Sequence, residues 1–305
     1  MGESLITRRA GAGGGEATIT FENYSPATNL TYISASDLSL ARRFLAGASV
    51  MGYALFAGGY GSTVYSTVDA YNMSLTRSTP TTLSVVKERL AGASVGEYAL
   101  FAGGEGSSYS STVDAYNTSL TRSTPTALSA ARTGLAGTSV GGYALFAGGL
   151  GSSSANYSTV DAYNTSLIRS TPTALSTARF NLAGTSVGGY ALFAGGYGSS
   201  SVNYSTVDAY NTSLMRSTPI ALSTARTNLA GTSVGGYALF AGGYGSSYSS
   251  TVDAYCDNLE LSLFPNTKYK LNDMPSEQTS TSFQTLSIPK PVNGYMKIQN
   301  ATLQN

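Results

Sequence analysis

The chain has 305 residues, with 17 lysines and arginines against 16 aspartates and glutamates, 35 glycines, 22 tyrosines, one cysteine, and neither histidine nor tryptophan. Near-neutrality without a basic stripe in the repeats argues against a nucleic-acid partner. The lack of histidine and the single Cys256 remove the commonest general base, the commonest metal ligand, an intramolecular disulfide and a cysteine-built zinc site, so no cofactor, metal or catalytic residue is expected.

Residues 1–16 hold the run Gly11 to Gly15 and lack an apolar signal core, which reads as a flexible leader without a classical export signal. No apolar run approaches the roughly 20 residues that span a bilayer, so membrane insertion is not expected and the chain reads as soluble. Localisation stays open, with association to a virion or a cell surface as one possibility. Serine, threonine, glycine and tyrosine dominate, a composition of strands and tight turns, and the fold class expected is all-β.

Ala17 to Tyr24 alternates apolar and polar residues as a half-buried strand does, and Asn29 to Ala35 reads as a second strand after a turn at Ser25-Pro26. Together they resemble half of the unit that follows. That unit is organised on Tyr-Ala-Leu-Phe-Ala-Gly-Gly, which occurs five times, at Tyr53, Tyr98, Tyr143, Tyr190 and Tyr237. Each copy is a short apolar run stopped by paired glycines, the pattern of a strand buried on both faces and ended by a sharp turn.

Full repeats begin at Leu45, Leu90, Leu135, Leu182 and Leu229, spacings of 45, 45, 47 and 47 residues. The range suits the blade of a β-propeller. The repeat at Leu135 divides into four candidate strands: residues 135–140, 143–147, 158–163 and a stretch from Ser166 to about Ala174. Gly141-Gly142 marks the first hairpin, and Asn164 is expected to take a left-handed backbone in the third turn. The doublets Gly58-Gly59, Gly103-Gly104, Gly148-Gly149, Gly195-Gly196 and Gly242-Gly243 are assigned a structural role, ending strands where a side chain would meet the neighbouring blade.

A turn centred on Thr118 sets Asp114 opposite Arg122, and the same offset pairs Asp69 with Arg77, Asp161 with Arg169 and Asp208 with Arg216. Such a cross-strand ion pair contributes roughly 0.2–1 kcal/mol, enough to fix register. Asp253 has Leu261 where the arginine would fall, so it is expected to be unpaired.

From Cys256 the repeat gives way to four alternating stretches, residues 258–264, 267–271, 282–288 and 294–299. Val292 to Ile298 aligns with Val234 to Phe240, so the tail is placed to supply the two strands that the N-terminal half-repeat lacks. Pro289 and Pro291 fit such a strand poorly. Residues 17–255 are therefore read as propeller repeats. Residues 256–305 either close a six-bladed ring with the N-terminal strands or form a small β module after five blades.

The strand ending in Gly-Gly, the Val-x-x-Tyr strand a dozen residues later (Val113 to Tyr116) and the basic residue before each repeat (Arg42, Lys87, Arg132, Arg179, Arg226) resemble the kelch repeat over about Ser39 to Tyr255. The near-identical copies are also similar to kelch-like repeat proteins of bacteria and their phages. The resemblance implies a β-propeller of four-stranded blades. The family's tryptophan, expected around Arg122, is absent throughout. Its copper oxidase chemistry needs histidine and cannot form here in that way.

The second-to-third and fourth-to-first loops of an up-and-down blade emerge on one face. Tyr60, Tyr65, Tyr109, Tyr157, Tyr197, Tyr204, Tyr244 and Tyr248 are expected there with Asn156, Asn203 and serines, near the row of basic residues. Tyrosine, serine and glycine suit adaptable binding surfaces. The expected function is a non-enzymatic binding or scaffolding module for a protein or a glycan. A phage-tail or surface-appendage component is the alternative, and a carbohydrate-active enzyme ranks last.

Overall fold

The computed structural model describes residues 34–256 and the strands Thr18–Glu22, Leu259–Leu263, Lys268–Tyr269, Gln278–Thr279, Gln284–Ile288 and Tyr295–Gln299. The leader, the Ser25-Pro26 turn and residues 29–33 of the expected second strand lie outside these. The chain divides into two compact units, Ile33–Tyr255 and a second made of Met1–Tyr32 with Cys256–Asn305.

The larger unit repeats one antiparallel sheet. Sheet 1 runs Ala46–Val50, Tyr53–Ala57, Val68–Asn72, Arg77–Ser78; sheet 2 runs Ala91–Val95, Tyr98–Ala102, Val113–Asn117, Arg122–Ser123. Sheet 3 is Ala136–Val140, Tyr143–Ala147, Val160–Asn164, Arg169–Ser170, and sheet 4 is Ala183–Val187, Tyr190–Ala194, Val207–Asn211, Arg216–Ser217. Sheet 5 has three strands, Ala230–Val234, Tyr237–Ala241 and Val252–Cys256. The first three strands fall within two residues of the expected ones, the third at Val160–Asn164 rather than 158–163, and the fourth is a two-residue pair rather than the longer stretch expected.

The second strand alternates by period two and in sheets 2, 3 and 4 is covered on both sides. Leu55 and Ala57 of sheet 1 pack with Val68 and Leu83 against Ala99, Phe101 and Tyr116 of sheet 2. Equivalent cores join sheets 2 and 3, 3 and 4, and 4 and 5. A large apolar side chain buried this way contributes roughly 2 kcal/mol, and one sheet alone could not bury either of its faces.

Small residues on the first strands let consecutive sheets approach closely. A Cβ on Gly92 would collide with the carbonyl of Gly47, and the Ser94 and Ser139 hydroxyls donate to the Ser49 and Ser94 carbonyls at 2.6 and 2.5 Å. One residue before each first leucine, a backbone ladder crosses from repeat to repeat. Arg89 N–H donates to Phe44 O (2.9 Å), Gly134 to Arg89 (3.1 Å), Asn181 to Gly134 (2.7 Å) and Asn228 to Asn181 (3.0 Å). All five residues have positive φ, a strained state for the four that are not glycine.

Three expectations are corrected. Tyr116, not Asp114, lies opposite Arg122, and Tyr71, Tyr163 and Tyr210 likewise oppose Arg77, Arg169 and Arg216, so each aspartate reaches its arginine diagonally. The turn is centred on Ser119 rather than Thr118, and its left-handed residue is Leu120 (φ 58°), not the asparagine. Asn117 instead accepts from the N–H groups of Ser119 and Thr121 through its side-chain oxygen, which fixes the turn without moving its own backbone. Asp253 is not unpaired, as shown below.

The array ends abruptly at both sides. Val234 and Val252 of sheet 5 are 62% and 58% exposed, whereas their equivalents Val187 and Val207 are buried; Phe56 of sheet 1 is 36% exposed where Phe101 is buried. Among the described residues no core joins sheet 5 to sheet 1.

In the smaller unit Thr18–Glu22 pairs with Tyr295–Gln299, Leu259–Leu263 with Gln284–Ile288, and Lys268–Tyr269 with Gln278–Thr279, all antiparallel. All four stretches expected in the tail contain a strand, and Pro289 and Pro291 lie outside the described residues. The short Gln278–Thr279 strand was not anticipated.

Candidate ligand-binding face

Sheets 1 to 4 are each tied to their loops by a buried aspartate, and sheet 5 by the partly exposed Asp253. Asp161 accepts from Arg132 Nη2 at 2.8 Å and Arg169 Nη1 at 3.1 Å, and also from the Ser129 N–H (3.1 Å) and hydroxyl (3.0 Å). Arg132 Nη2 also reaches the Phe146 carbonyl at 3.1 Å. Asp69 and Asp208 repeat the pattern with Arg42 and Arg77, and with Arg179 and Arg216. Asp253 is held by Arg226 at 2.7 Å even without a fourth-strand arginine. Desolvating two charges is costly, and multiple hydrogen bonds of this kind are what offset it.

Burial pushes the Asp69 carboxyl up, but hydrogen bonds from Arg77, Arg42 and Ser39 outweigh it and hold the group below the usual range. Burial lowers Lys87, Arg132 and Arg179, with their aspartates opposing. The basic row expected beside the tyrosines therefore lies under the loop face, without exposed side-chain surface at Arg42, Lys87, Arg132, Arg179 or Arg226. It positions the loops and is not available to a ligand.

Gly58, Gly103, Gly148 and Gly195 have positive φ, and a Cβ on Gly103 would lie 2.7 Å from the carbonyl of Arg132 in the connection that leads to sheet 3.

The two loop sets do share one end of each sheet, through paired β-bridges. Arg43 bridges Tyr60, which bridges Val64; the equivalents are Glu88, Glu105 and Tyr109, then Thr133, Leu150 and Asn156. Sheet 4 has Phe180, Tyr197 and Asn203, and sheet 5 has Thr227, Tyr244 and Tyr248. Of the ten expected face residues, Tyr60, Tyr109, Tyr197, Tyr244, Tyr248, Asn156 and Asn203 stand in these triplets. Tyr65, Tyr157 and Tyr204 sit one residue further on, their rings laid against Gly61, Gly151 and Gly198. Only Tyr244 (44%) and Tyr248 (90%) of the eight tyrosines are largely exposed. The longer third and fourth loops carry 3-10 turns at Ser152–Ser154 and Ser199–Ser201.

Arg43, Phe44, Glu88, Arg89, Glu105 and Phe180 belong to the same end and were missed. They carry no composition signal, but they vary where the repeats otherwise match. The repeats at Leu135 and Leu182 differ at five positions, and three of these, Leu150 against Tyr197, Ala155 against Val202 and Phe180 against Thr227, fall at this end.

The face is chemically divided. In sheets 1 and 2 the Arg43 guanidinium lies 4.9 Å from the Phe44 ring centre and 5.5 Å from that of Tyr60, and Arg89 lies 4.8 Å from Phe44 and 3.3 Å from Glu105. In sheets 4 and 5 Phe180 meets Tyr197 edge-on at 5.6 Å and Tyr244 meets Tyr248 at 5.4 Å. Asn203 Nδ2 donates to the Gly245 carbonyl at 3.2 Å, joining the two loops, while its side-chain oxygen is buried without a donor.

No model of a known protein family matches the chain, and no curated protein matches it. Among the described residues no three His, Cys, Asp or Glu side chains come together as a metal site, and no helix is long and apolar enough to cross a membrane.

Proposed function

We propose that the protein is a non-enzymatic, kelch-type β-propeller whose loop face binds a protein or a glycan. The observation that carries this reading is the placement of variation. Nearly identical sheets present different bridged triplets at one end, Arg43-Tyr60-Val64 beside Glu88-Glu105-Tyr109 and so on. Packing explains the identical part and not the differences. Side chains at adaptable binding surfaces have this character, with tyrosine, serine, glycine and asparagine prominent.

Six blades complete the proposal, the sixth built on the pair of Thr18–Glu22 with Tyr295–Gln299. Its register supports this: Tyr295 opposes Glu22 and Gln299 opposes Thr18, as Tyr98 opposes Asn117 and Ala102 opposes Val113 in sheet 2. Phe56, Val234 and Val252 are uncovered where their equivalents in the inner sheets are buried, which leaves sheets 1 and 5 each one neighbour short.

The test is a screen of the whole chain against immobilised glycans and against proteins in pull-down, followed by Tyr60→Ala, Glu105→Ala and Tyr248→Ala. Loss of a captured ligand with the melting temperature unchanged supports the loop face. Binding that survives all three substitutions overturns it.

An appendage component is the second reading, favoured by the gathering of both chain ends into one unit. Deleting residues 256–305 separates the two. A folded remainder that no longer assembles favours attachment, and unfolding favours ring closure.

A further inference from the structure

We propose that the loops of sheets 4 and 5 form a subsite for a neutral sugar, an inference that rests on the loop-face reading and narrows it to one ligand class and one place.

The residues that would form it are Phe180, Tyr197, Asn203, Tyr204, Tyr244 and Tyr248. In residues 180–182, 197–205, 227–229 and 244–250 there is no aspartate, glutamate, lysine or arginine. The arginines beneath them, Arg179 and Arg226, are fully buried and already paired with Asp208 and Asp253. An anionic ligand would shed water here without meeting a cation, a cost that nothing local offsets. The charged groups of the face, Arg43, Glu88, Arg89 and Glu105, belong to sheets 1 and 2.

What sheets 4 and 5 do offer is aromatic surface bordered by hydrogen-bonding groups. The two edge-on pairs hold their rings in fixed relative orientation, at interplanar angles of 87° and 70°. Such a pair leaves ring faces uncovered, and the C–H face of a pyranose is an apolar plate of matching size. Tyr248 is 90% exposed, far beyond what a side chain packed for stability shows. The hydroxyls of Tyr197, Tyr204, Tyr244 and Tyr248 make no hydrogen bond among the described residues. Sugar hydroxyls both donate and accept, so they can meet these groups.

Asn203 lies between the two loops. Its amide nitrogen is committed to Gly245, and its oxygen is a buried acceptor without a partner. A buried acceptor of this kind costs about 1–3 kcal/mol unless a donor reaches it. The same amide joins the loop that carries Tyr197 and Tyr204 to the loop that carries Tyr244 and Tyr248, which reduces the ordering that binding would require. Asn156, at the equivalent position of sheet 3, also has a buried oxygen without a donor, but its bridge partner is Leu150 rather than a tyrosine. Sheet 3 therefore lacks the aromatic half of the arrangement.

The test titrates the full chain with maltohexaose, cellohexaose, mannohexaose and chitohexaose, and with hexagalacturonate as the acidic control, reading calorimetry and tyrosine fluorescence. At least one neutral oligosaccharide is expected to bind with Kd on the order of 1 mM. Tyr248→Ala is expected to weaken it by about ten-fold or more, and Arg43→Ala by less than about two-fold. Binding confined to hexagalacturonate, or lost in Arg43→Ala and kept in Tyr248→Ala, overturns the neutral subsite but leaves the loop face standing. Binding unchanged in both variants overturns the subsite and counts against the face as well. If no neutral oligosaccharide binds, the subsite is wrong, and the protein pull-down decides the face on its own.

Discussion

Lys87 Nζ lies 3.0 Å from Asp114 Oδ2 in the one sheet where the buried cation is not an arginine. In sheets 1, 3, 4 and 5 the guanidinium reaches the aspartate at 2.7–2.8 Å and the phenylalanine carbonyl at 3.0–3.2 Å. The lysine manages 3.4 Å to Phe101 O, and Arg122 stands back at 3.6 Å from Asp114. A guanidinium offers several donors in a fixed fork, whereas an ammonium acts as a point charge. Lys87→Arg is expected to stabilise the protein by about 1 kcal/mol, seen as a rise of about 3 °C in melting temperature. A lower melting temperature would show that sheet 2 has no room for the larger group.

Gly103 and Gly242 make a matched pair of substitutions. Both have positive φ, at 67°, which costs any side chain about 1–2 kcal/mol. A Cβ on Gly103 also meets Arg132 O at 2.7 Å, whereas the nearest atom to one on Gly242 is Ser249 O at 3.8 Å. On the six-bladed reading, Gly242→Ala is expected to cost as much as Gly103→Ala, about 3 kcal/mol by chemical denaturation. A cost near 1 kcal/mol at Gly242 alone would mean that sheet 5 has no neighbour.

Acid should loosen the ends of the array early. The Asp69 and Asp253 carboxyls are lowered from 3.8: burial raises both, but Arg77, Arg42 and Ser39 overcome it at Asp69, and Ser223 and Arg226 at Asp253. A depressed carboxylate contributes its stability fully above the unfolded value, and the contribution is lost as pH falls from there through the folded value. Unfolding free energy is expected to drop as pH falls below about 4. Asp253→Asn should flatten that slope in circular-dichroism titrations; an unchanged slope would exclude Asp253 as a contributor.

Alkali reports on the tyrosines of the third strands. Burial, reinforced by the neighbouring aspartate, raises Tyr116, Tyr163 and Tyr210 above 10.0 and pushes Tyr255 up to about 12. Raised groups stabilise the fold fully below the unfolded value, and this is lost as pH rises through the folded one. Tyrosinate absorbance should therefore rise in two stages, the second coinciding with unfolding. Tyr163→Phe removes one late group and the 2.8 Å bond to Thr126 O, at a cost of about 1 kcal/mol. Single-stage titration of all tyrosines near pH 10 would contradict the burial of these rings.

The repeat, its strands and the meaning of the glycine doublets could be read from the chain because they rest on local rules. Alternation of period two places Leu55 and Phe56 on opposite sides of one strand, and a hairpin must follow Val50 within a few residues. The diagonal placement of Asp161 and Arg169 was one residue away from being readable, and the left-handed state expected at Asn164 is taken by Leu167 instead. Tertiary structure alone brought Arg132 from the preceding connection onto Asp161 and laid Tyr157 against Gly151. It alone set Phe180, Tyr197 and Asn203 beside Tyr244 and Tyr248. These contacts join residues far apart in the chain, and which of two similar tyrosines is packed or exposed depends on what the neighbouring sheet places above it, which no local pattern encodes.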